Sequence, residues 1–280
     1  MPASQAEKGA AFRELHARER AFVIPNPYDV GTARLLQIAG FEALATTSAG
    51  FAFSLGKPDG AIEREAMLEH VAAIVAAADL PVSADLENGY GDEPERVAQT
   101  VRLAAEAGLV GCSIEDVGDR QHPQPYERAF AAERIRAAAE AAHALPFPFV
   151  LTARCENFLL GRRALRDTIE RLQAYQEADA DVLYAPGLTE RQEIAEVVRS
   201  VDRPVNVIVG LTGLRLSLDE LSAIGVKRVS VGSALSRAAL GAFLRAAEEM
   251  RMHGTFTFAD EAAKYADLNA LFARFVPHEA

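Results

Sequence analysis

Short apolar runs rich in β-branched residues alternate with longer amphipathic runs along the whole chain. This alternation restricts the fold more than any other feature. Residues 22–25, 43–47, 82–85, 111–115, 149–153, 182–184, 205–209 and 228–231 read as strands. They read as largely apolar runs, as expected for strands buried on both faces of a parallel sheet. Helical periodicity fills the gaps, over 30–39, 63–78, 94–107, 131–143, 163–177, 190–199, 218–223 and 237–252. Gly40, Gly108 and Gly225 follow three of these helices, where a left-handed residue ends the last turn. Eight strand-then-helix units predict an α/β chain folded as a (β/α)8 TIM-type barrel. An open doubly wound sheet is the alternative, but no glycine-rich dinucleotide fingerprint follows the first run.

The 280 residues suit one such barrel, so residues 1–280 read as a single domain, with 255–280 as a helical C-terminal extension. In the extension Tyr265, Leu268, Leu271, Phe272 and Phe275 recur at helical spacing, which predicts an apolar face packed on a partner, with packing on the same chain's barrel as the alternative. Half the residues are hydrophobic, enough for a large core. Lys and Arg total 29 against 40 Asp and Glu, a formal charge of −11. That excludes a general nucleic-acid binder, which needs cationic surface, and an anionic membrane as partner. Cys112 and Cys155 are the two cysteines, so no disulfide framework is expected. No stretch resembles a signal peptide or a membrane span. A cytoplasmic protein is the simplest expectation.

In a barrel of this kind, chemistry sits at the C-terminal strand ends. Asp85 and Glu87 end the third run, Glu115 and Asp116 the fourth, and Asp59 follows the second. Residues two apart in an extended segment share a side, so Asp85 and Glu87 are expected to face the mouth together. Converging carboxylates suit a hard divalent cation such as Mg²⁺; helix capping is the alternative use of one or two of them. Arg154 ends the fifth run, where a guanidinium can bind a carboxylate or phosphate in bidentate fashion or pair internally with Glu115 or Glu156. Ser48, Ala49 and Gly50 follow the second run, and such small residues let backbone N–H groups approach an anion. An ordinary turn would look the same.

Taken in order, the segments Asn26-Pro27-Tyr28-Asp29, Thr46-Thr47-Ser48-Ala49-Gly50, Asp85-Leu86-Glu87-Asn88-Gly89-Tyr90-Gly91, Ser113-Ile114-Glu115-Asp116 and Thr152-Ala153-Arg154 resemble the isocitrate lyase / phosphoenolpyruvate mutase superfamily. The resemblance spans nearly the whole chain. It implies a barrel of the phosphoenolpyruvate-binding kind, a Mg²⁺ or Mn²⁺ cofactor and a small 2-oxo or 2-hydroxy carboxylate substrate. It also implies a homo-oligomer, dimer or tetramer, that swaps the last barrel helix. Asp85 matches the principal metal carboxylate. Glu87 stands where many members have Asp, and Asp59 and Glu115 match carboxylates that hold metal-bound water. Ser48, Ala49 and Gly50 match the substrate-carboxylate loop, Arg154 the substrate-binding arginine, and Asn206 a polar substrate contact in the seventh run.

The chain departs from the family after the fourth run. Lyase members carry a Lys-Lys-Cys-Gly-His loop whose cysteine is the catalytic acid/base; here residues 117–126 contain neither cysteine nor paired lysines. The Lys and Asn-Ser residues of the mutases are missing too. Arg120 and His122 are the titratable residues left in the loop, so His122 joins Arg154 and Glu115 as a catalytic candidate. The economical expectation is chemistry that needs only a metal-stabilised enolate, of oxaloacetate decarboxylase or 2-oxo acid hydrolase type. Isocitrate or 2-methylisocitrate lyase or phosphonate mutase activity through a changed loop is the alternative. A metal-dependent binding protein without turnover is another, and a Schiff-base lysine is disfavoured by the placement of Lys57 and Lys227.

Overall fold

The computed structural model describes residues 2–118, 122–210 and 213–276. Eight parallel strands form the barrel: β1 (Phe22–Ile24), β2 (Leu44–Ala45), β3 (Val82–Asp85), β4 (Gly111–Glu115), β5 (Val150–Arg154), β6 (Val182–Tyr184), β7 (Val205–Ile208) and β8 (Arg228–Ser230). The helices are α1 (Gln5–Ala17), α2 (Val30–Ile38), α3 (Ser48–Ser54), α4 (Arg64–Ala77), α5 (Pro94–Glu106), α6 (Arg128–His143), α7 (Leu165–Glu177), α8 (Arg191–Arg199), α9 (Leu218–Ile224), α10 (Ala234–His253) and α11 (Tyr265–Ala273). All eight expected strands are present within a residue or two of their expected ends.

Neighbouring strands run β1-β8-β7-β6-β5-β4-β3-β2. The last seam, between β1 and β2, is closed just past β1, where Ala45 N–H donates to the Pro25 carbonyl at 3.0 Å. Asn26 completes the closure. Its Nδ2 donates to the Thr46 carbonyl, while its Oδ1 accepts from the amides of Val231 and Gly232, each at 2.9 Å. One buried side chain thus joins the ends of β1, β2 and β8. Gly40, Gly108 and Gly225 adopt φ of 87°, 95° and 100°, as a left-handed helix terminus requires. The helices pack on the strands through small residues; Ala98, Ala104, Ala105, Ala138 and Ala142 are all buried.

Two helices escaped the sequence reading. Helix α1 begins with a Ser4–Glu7 capping box, and its Phe12, Leu15 and His16 cover the barrel base beside Phe22, Val150 and Val182. Helix α3 is short and starts in what read as a turn. The expected single amphipathic helix over 255–280 is instead a 3₁₀ turn, Thr257–Glu261, followed by α11. Helix α11 packs partly on α2 of its own chain, with the Arg34 guanidinium 4.9 Å from the Phe275 ring centroid. Tyr265 is exposed. Cys112 and Cys155 are buried free thiols. Among the described residues no helix is long and apolar enough to cross a membrane.

His16 lies edge-on to Phe12 and Phe22 under the barrel. Burial, with the Arg228 guanidinium nearby, pushes its imidazole from 6.5 down to about 3. Burial moves His70 the same way, to about 4. Both stay neutral in the folded protein at a pH where the unfolded chain takes up protons. Stability therefore falls as pH drops below 6.5, by about 1.4 kcal/mol per pH unit for each group. Urea midpoints measured from pH 7.5 to 5 should show this decline, and His16→Gln should remove about half of it. An unchanged slope in the variant would contradict a neutral His16.

Candidate active site

The C-terminal ends of the strands open into a cavity of about 400 Å³, a size suited to a small ligand. Three carboxylates and one guanidinium organise one wall. Parallel pairing of β4 with β5 sets Glu115 opposite Arg154. Arg154 Nη2 lies 3.2 Å from Glu115, Nη1 2.8 Å from Asp85 and Nε 2.9 Å from Glu156. The second Asp85 oxygen accepts from Ser48 Oγ at 3.0 Å and from Ser48 N–H at 3.3 Å. Burial alone would lower the Arg154 pKa, but Glu156, Asp85 and Glu115 together hold it well above the ordinary value. Burial pushes the Glu156 carboxyl up, against the pull of Arg154. The internal pairing of Arg154 is therefore present with both Glu115 and Glu156.

Several expected residues line this cavity: Ser48, Ala49, Asp59, Asp85, Glu115, Arg154 and Asn206. Others do not. Glu87 is buried and is not among the residues that line the cavity; β3 ends at Asp85 and Glu87 adopts φ 53°. The two-residue alternation that would place it beside Asp85 holds only in an extended segment. Gly50 lies inside α3 and is not among the lining residues; a Cβ there would meet Thr47 Cγ2 at 2.6 Å and Tyr28 Cβ at 3.0 Å, so the position has no room for a side chain. His122 sits on the exposed loop and does not line the cavity. Arg120 lies outside the described residues. Asp116 points away from the mouth to Arg171 Nη1 at 3.3 Å and to the Tyr175 hydroxyl.

The sequence reading passed over Tyr184, Arg228 and Ser230, which also line the cavity. A charged residue opening an otherwise apolar strand, as Arg228 does, is the signal that would have found it. Burial raises the Cys112 thiol pKa within β4, so it cannot serve as the missing acid/base.

The wall chemistry suits a hard cation, because the donors are oxygens and one guanidinium leaves three carboxylates with an excess of negative charge. Among the described residues no three acidic, histidine or cysteine side chains gather into a closed ligand cage. A cation held by one or two carboxylates with retained waters, as Mg²⁺ prefers, fits this layout.

A (β/α)8 barrel with an arginine-bridged acidic mouth defines a class of enzymes that handle small anionic substrates. The family model for phosphoenolpyruvate phosphomutase matches residues 12–251, so the chain belongs to that family, within the phosphoenolpyruvate mutase / isocitrate lyase superfamily. It is a lyase- or mutase-type enzyme. A crystal structure from Burkholderia cenocepacia J2315, assigned provisionally as a lyase/mutase, is 66% identical, with a TM-score of 0.94 over 96% of this chain and 97% of that one. The 2-methylisocitrate lyase of Escherichia coli K12 is 31% identical over 82% of this chain and 81% of its own. Oxaloacetate acetylhydrolase in complex with oxalate is 27% identical, with a TM-score of 0.85 over 96% and 94%.

Removing Arg154 tests the wall itself. Arg154→Met takes the shared counter-charge from the buried Glu115 and Glu156 and the half-buried Asp85, and should cost about 3–5 kcal/mol in urea unfolding. Arg154→Lys should recover part of the loss. Wild-type stability in Arg154→Met would show that the acids do not depend on it.

Proposed function

We propose that the chain is a divalent-metal-dependent enzyme acting on a small 2-oxo or 2-hydroxy carboxylate through an enolate, of oxaloacetate decarboxylase or 2-oxo acid hydrolase type. The observation that carries this reading is the cavity lining. Among the described residues it holds carboxylates, two guanidiniums, hydroxyls and two amides, but no lysine, cysteine or histidine. Such a site has no amine for a Schiff base and no thiol, so it suits a reaction whose main demand is charge stabilisation. Asp85 is the direct metal carboxylate in this reading, with Glu115 and Asp59 reached through water. When bound, Mg²⁺ or Mn²⁺ supplies electrostatic stabilisation for oxyanion charge.

The protein's own groups divide the remaining work. Arg154 and the Ser48–Ala49 turn bind and orient the substrate carboxylate, and Asn206 contacts it from β7. Glu115, paired with Arg154, is the group placed to accept or return a proton at the reacting carbon. Decarboxylation of oxaloacetate breaks the C3–C4 bond and releases CO₂, leaving the electron pair on an enolate that takes a proton to give pyruvate. Hydrolysis instead adds water at the keto carbon and releases oxalate and acetate. A second reading, isocitrate or 2-methylisocitrate lyase or phosphonate mutase activity through a changed loop, is favoured by the similarity to the E. coli lyase.

Oxaloacetate, isocitrate, 2-methylisocitrate and phosphonopyruvate, each with Mg²⁺ and with products identified by NMR, discriminate these readings. Turnover of oxaloacetate is expected; rapid release of succinate with glyoxylate or pyruvate would favour the second reading. Asp85→Asn should weaken Mn²⁺ binding, read by electron paramagnetic resonance, by roughly tenfold or more. Glu87→Gln should weaken it less. Equal affinity in wild type and Asp85→Asn would remove Asp85 from the metal site.

We also propose that the working form is a homo-oligomer, dimer or tetramer, built on α10. Of its 20 residues only Ser236 is buried, while Phe243 and Leu244 are 66% and 65% exposed. An apolar surface of this kind marks a contact. Light scattering should show an oligomer that Phe243→Glu with Leu244→Glu reduces to monomer, and that truncation after His253 weakens. A wild-type monomer would refute the assembly.

A further inference from the structure

Ser48 and Asp85 are tied together in a way that their separate roles do not require. Asp85 sits on a fixed backbone. Its N–H donates to Thr46 Oγ1 at 3.1 Å, and β3 pairs with β4 so that Asp85 lies opposite Ser113. Its Oδ1 accepts from Arg154 Nη1 at 2.8 Å and from the Glu87 N–H at 3.4 Å. Its Oδ2 accepts from the Ser48 hydroxyl at 3.0 Å and from the Ser48 N–H at 3.3 Å. Ser48 is buried. The turn that the reading above gives to the substrate carboxylate is therefore engaged by the carboxylate that the same reading gives to the cation.

These two uses exclude each other at the Ser48 hydroxyl, which has one proton to donate. Given to Asp85, that proton is not available to a second carboxylate. The hydroxyl can change acceptor by rotation about single bonds, whereas the Asp85 backbone is held on both sides. Charge decides which acceptor it takes. A hydrogen bond to an ionised carboxylate is about twice as strong as one to a neutral acceptor. A divalent cation on Asp85 is the largest local charge and draws electron density from both carboxylate oxygens, which weakens the bond from Ser48. In return, a donor on Oδ2 lowers the affinity of Asp85 for the cation.

We propose that Ser48 is an exchangeable donor that couples the two ligands of the site. It holds Asp85 until a divalent cation binds there, and then turns its hydroxyl to the substrate carboxylate. Cation and carboxylate thereby strengthen each other's binding by the same factor, beyond any direct contact between them. This inference rests on the metal and carboxylate reading above and adds the link between its two halves.

Ser48→Ala removes the exchangeable proton. Mn²⁺ affinity would be read by electron paramagnetic resonance on the protein without organic acid, and pyruvate affinity by calorimetry at saturating Mn²⁺. The variant should bind Mn²⁺ about threefold to tenfold more tightly and pyruvate more weakly by a similar factor. The factor by which pyruvate tightens Mn²⁺ should fall. A residue that merely supports Asp85 would give the opposite sign for the metal, so weaker or unchanged Mn²⁺ binding in Ser48→Ala would overturn the exchange. Tighter Mn²⁺ with unchanged or tighter pyruvate would overturn it too, because Ser48 would then hold Asp85 without serving the substrate. If Ser48→Ala does not fold, Ser48→Cys, whose thiol is a weak donor, carries the same expectations. A wild type that binds no Mn²⁺, or binds Mn²⁺ but no pyruvate, would overturn the proposed function itself, and this inference with it.

Discussion

Three carboxylates, from the ends of β3 and β4 and the loop after β5, converge on the guanidinium of Arg154. Without a cation between them they could not share the mouth. Like charges about 4 Å apart repel by about 4 kcal/mol even at an effective dielectric of 20. The barrel brings the acids together by register alone, since Glu115 and Arg154 are paired across parallel strands and Glu156 follows two residues later. Asp85 reaches the same guanidinium from β3, and Ser48 then fixes its other oxygen. One arginine thus neutralises part of the charge and leaves an oxygen-rich surplus for a bound cation.

A second layer keeps these groups in place, and it also depends on arginines whose charge meets oxygen. Arg134 of α6 is fully buried and donates to the carbonyls of Asn88, Gly91, Asp92 and Glu115. Those contacts shape the loop after β3, in which Glu87 and Tyr90 take φ of 53° and 60°. Left-handed conformations at non-glycine residues are costly, so they persist only where neighbours enforce them. Behind β4, Asp116 accepts from the Glu156 amide at 2.9 Å and pairs with Arg171. Asp116 therefore sets the backbone that aims Glu156 at Arg154. Its position next to Glu115 does not make it part of the mouth.

The barrel was legible because buried parallel strands leave largely apolar runs, and helix ends leave glycines. Asp85, Glu115 and Arg154 were legible for a related reason: each is the polar residue that closes such a run. The orientation of Glu87 relative to Asp85 is not legible in the sequence, because strand alternation stops where the strand stops and a loop's φ of 53° cannot be read from an Asp-Leu-Glu spacing. Helix α1 was missed because its buried face consists of a few residues, including His16, whose burial depends on Phe22 and Arg228 far along the chain. The tail's apolar spacing correctly predicted a helix, but the pattern could not show that Leu268, Leu271, Phe272 and Phe275 would be partly covered by the same chain. Arg228 carries a sequence signal, a charge that opens a strand, but its partner is not legible from the sequence: the register of β7 with β8 sets it opposite Asn206.

Helix α10 links the mouth to the outer shell through α3. Gly50 of α3 lies so close to this helix that a Cβ there would stand 3.4 Å from Ser236 Cβ, and Ser236 is the buried residue of α10. On its other side Gly50 abuts Tyr28, so α3 is wedged between the loop after β1 and the start of α10. Close packing transmits displacement where no flexible side chain can absorb it, and glycine has none. Ser48, at the start of α3, holds Asp85 through its hydroxyl and amide. In the assembly proposed on α10, the surface that meets a second copy and the turn that fixes Asp85 therefore belong to one continuous run of contacts. The first turn of that helix is held against the site through Ser236, while Phe243 and Leu244 farther along it are exposed.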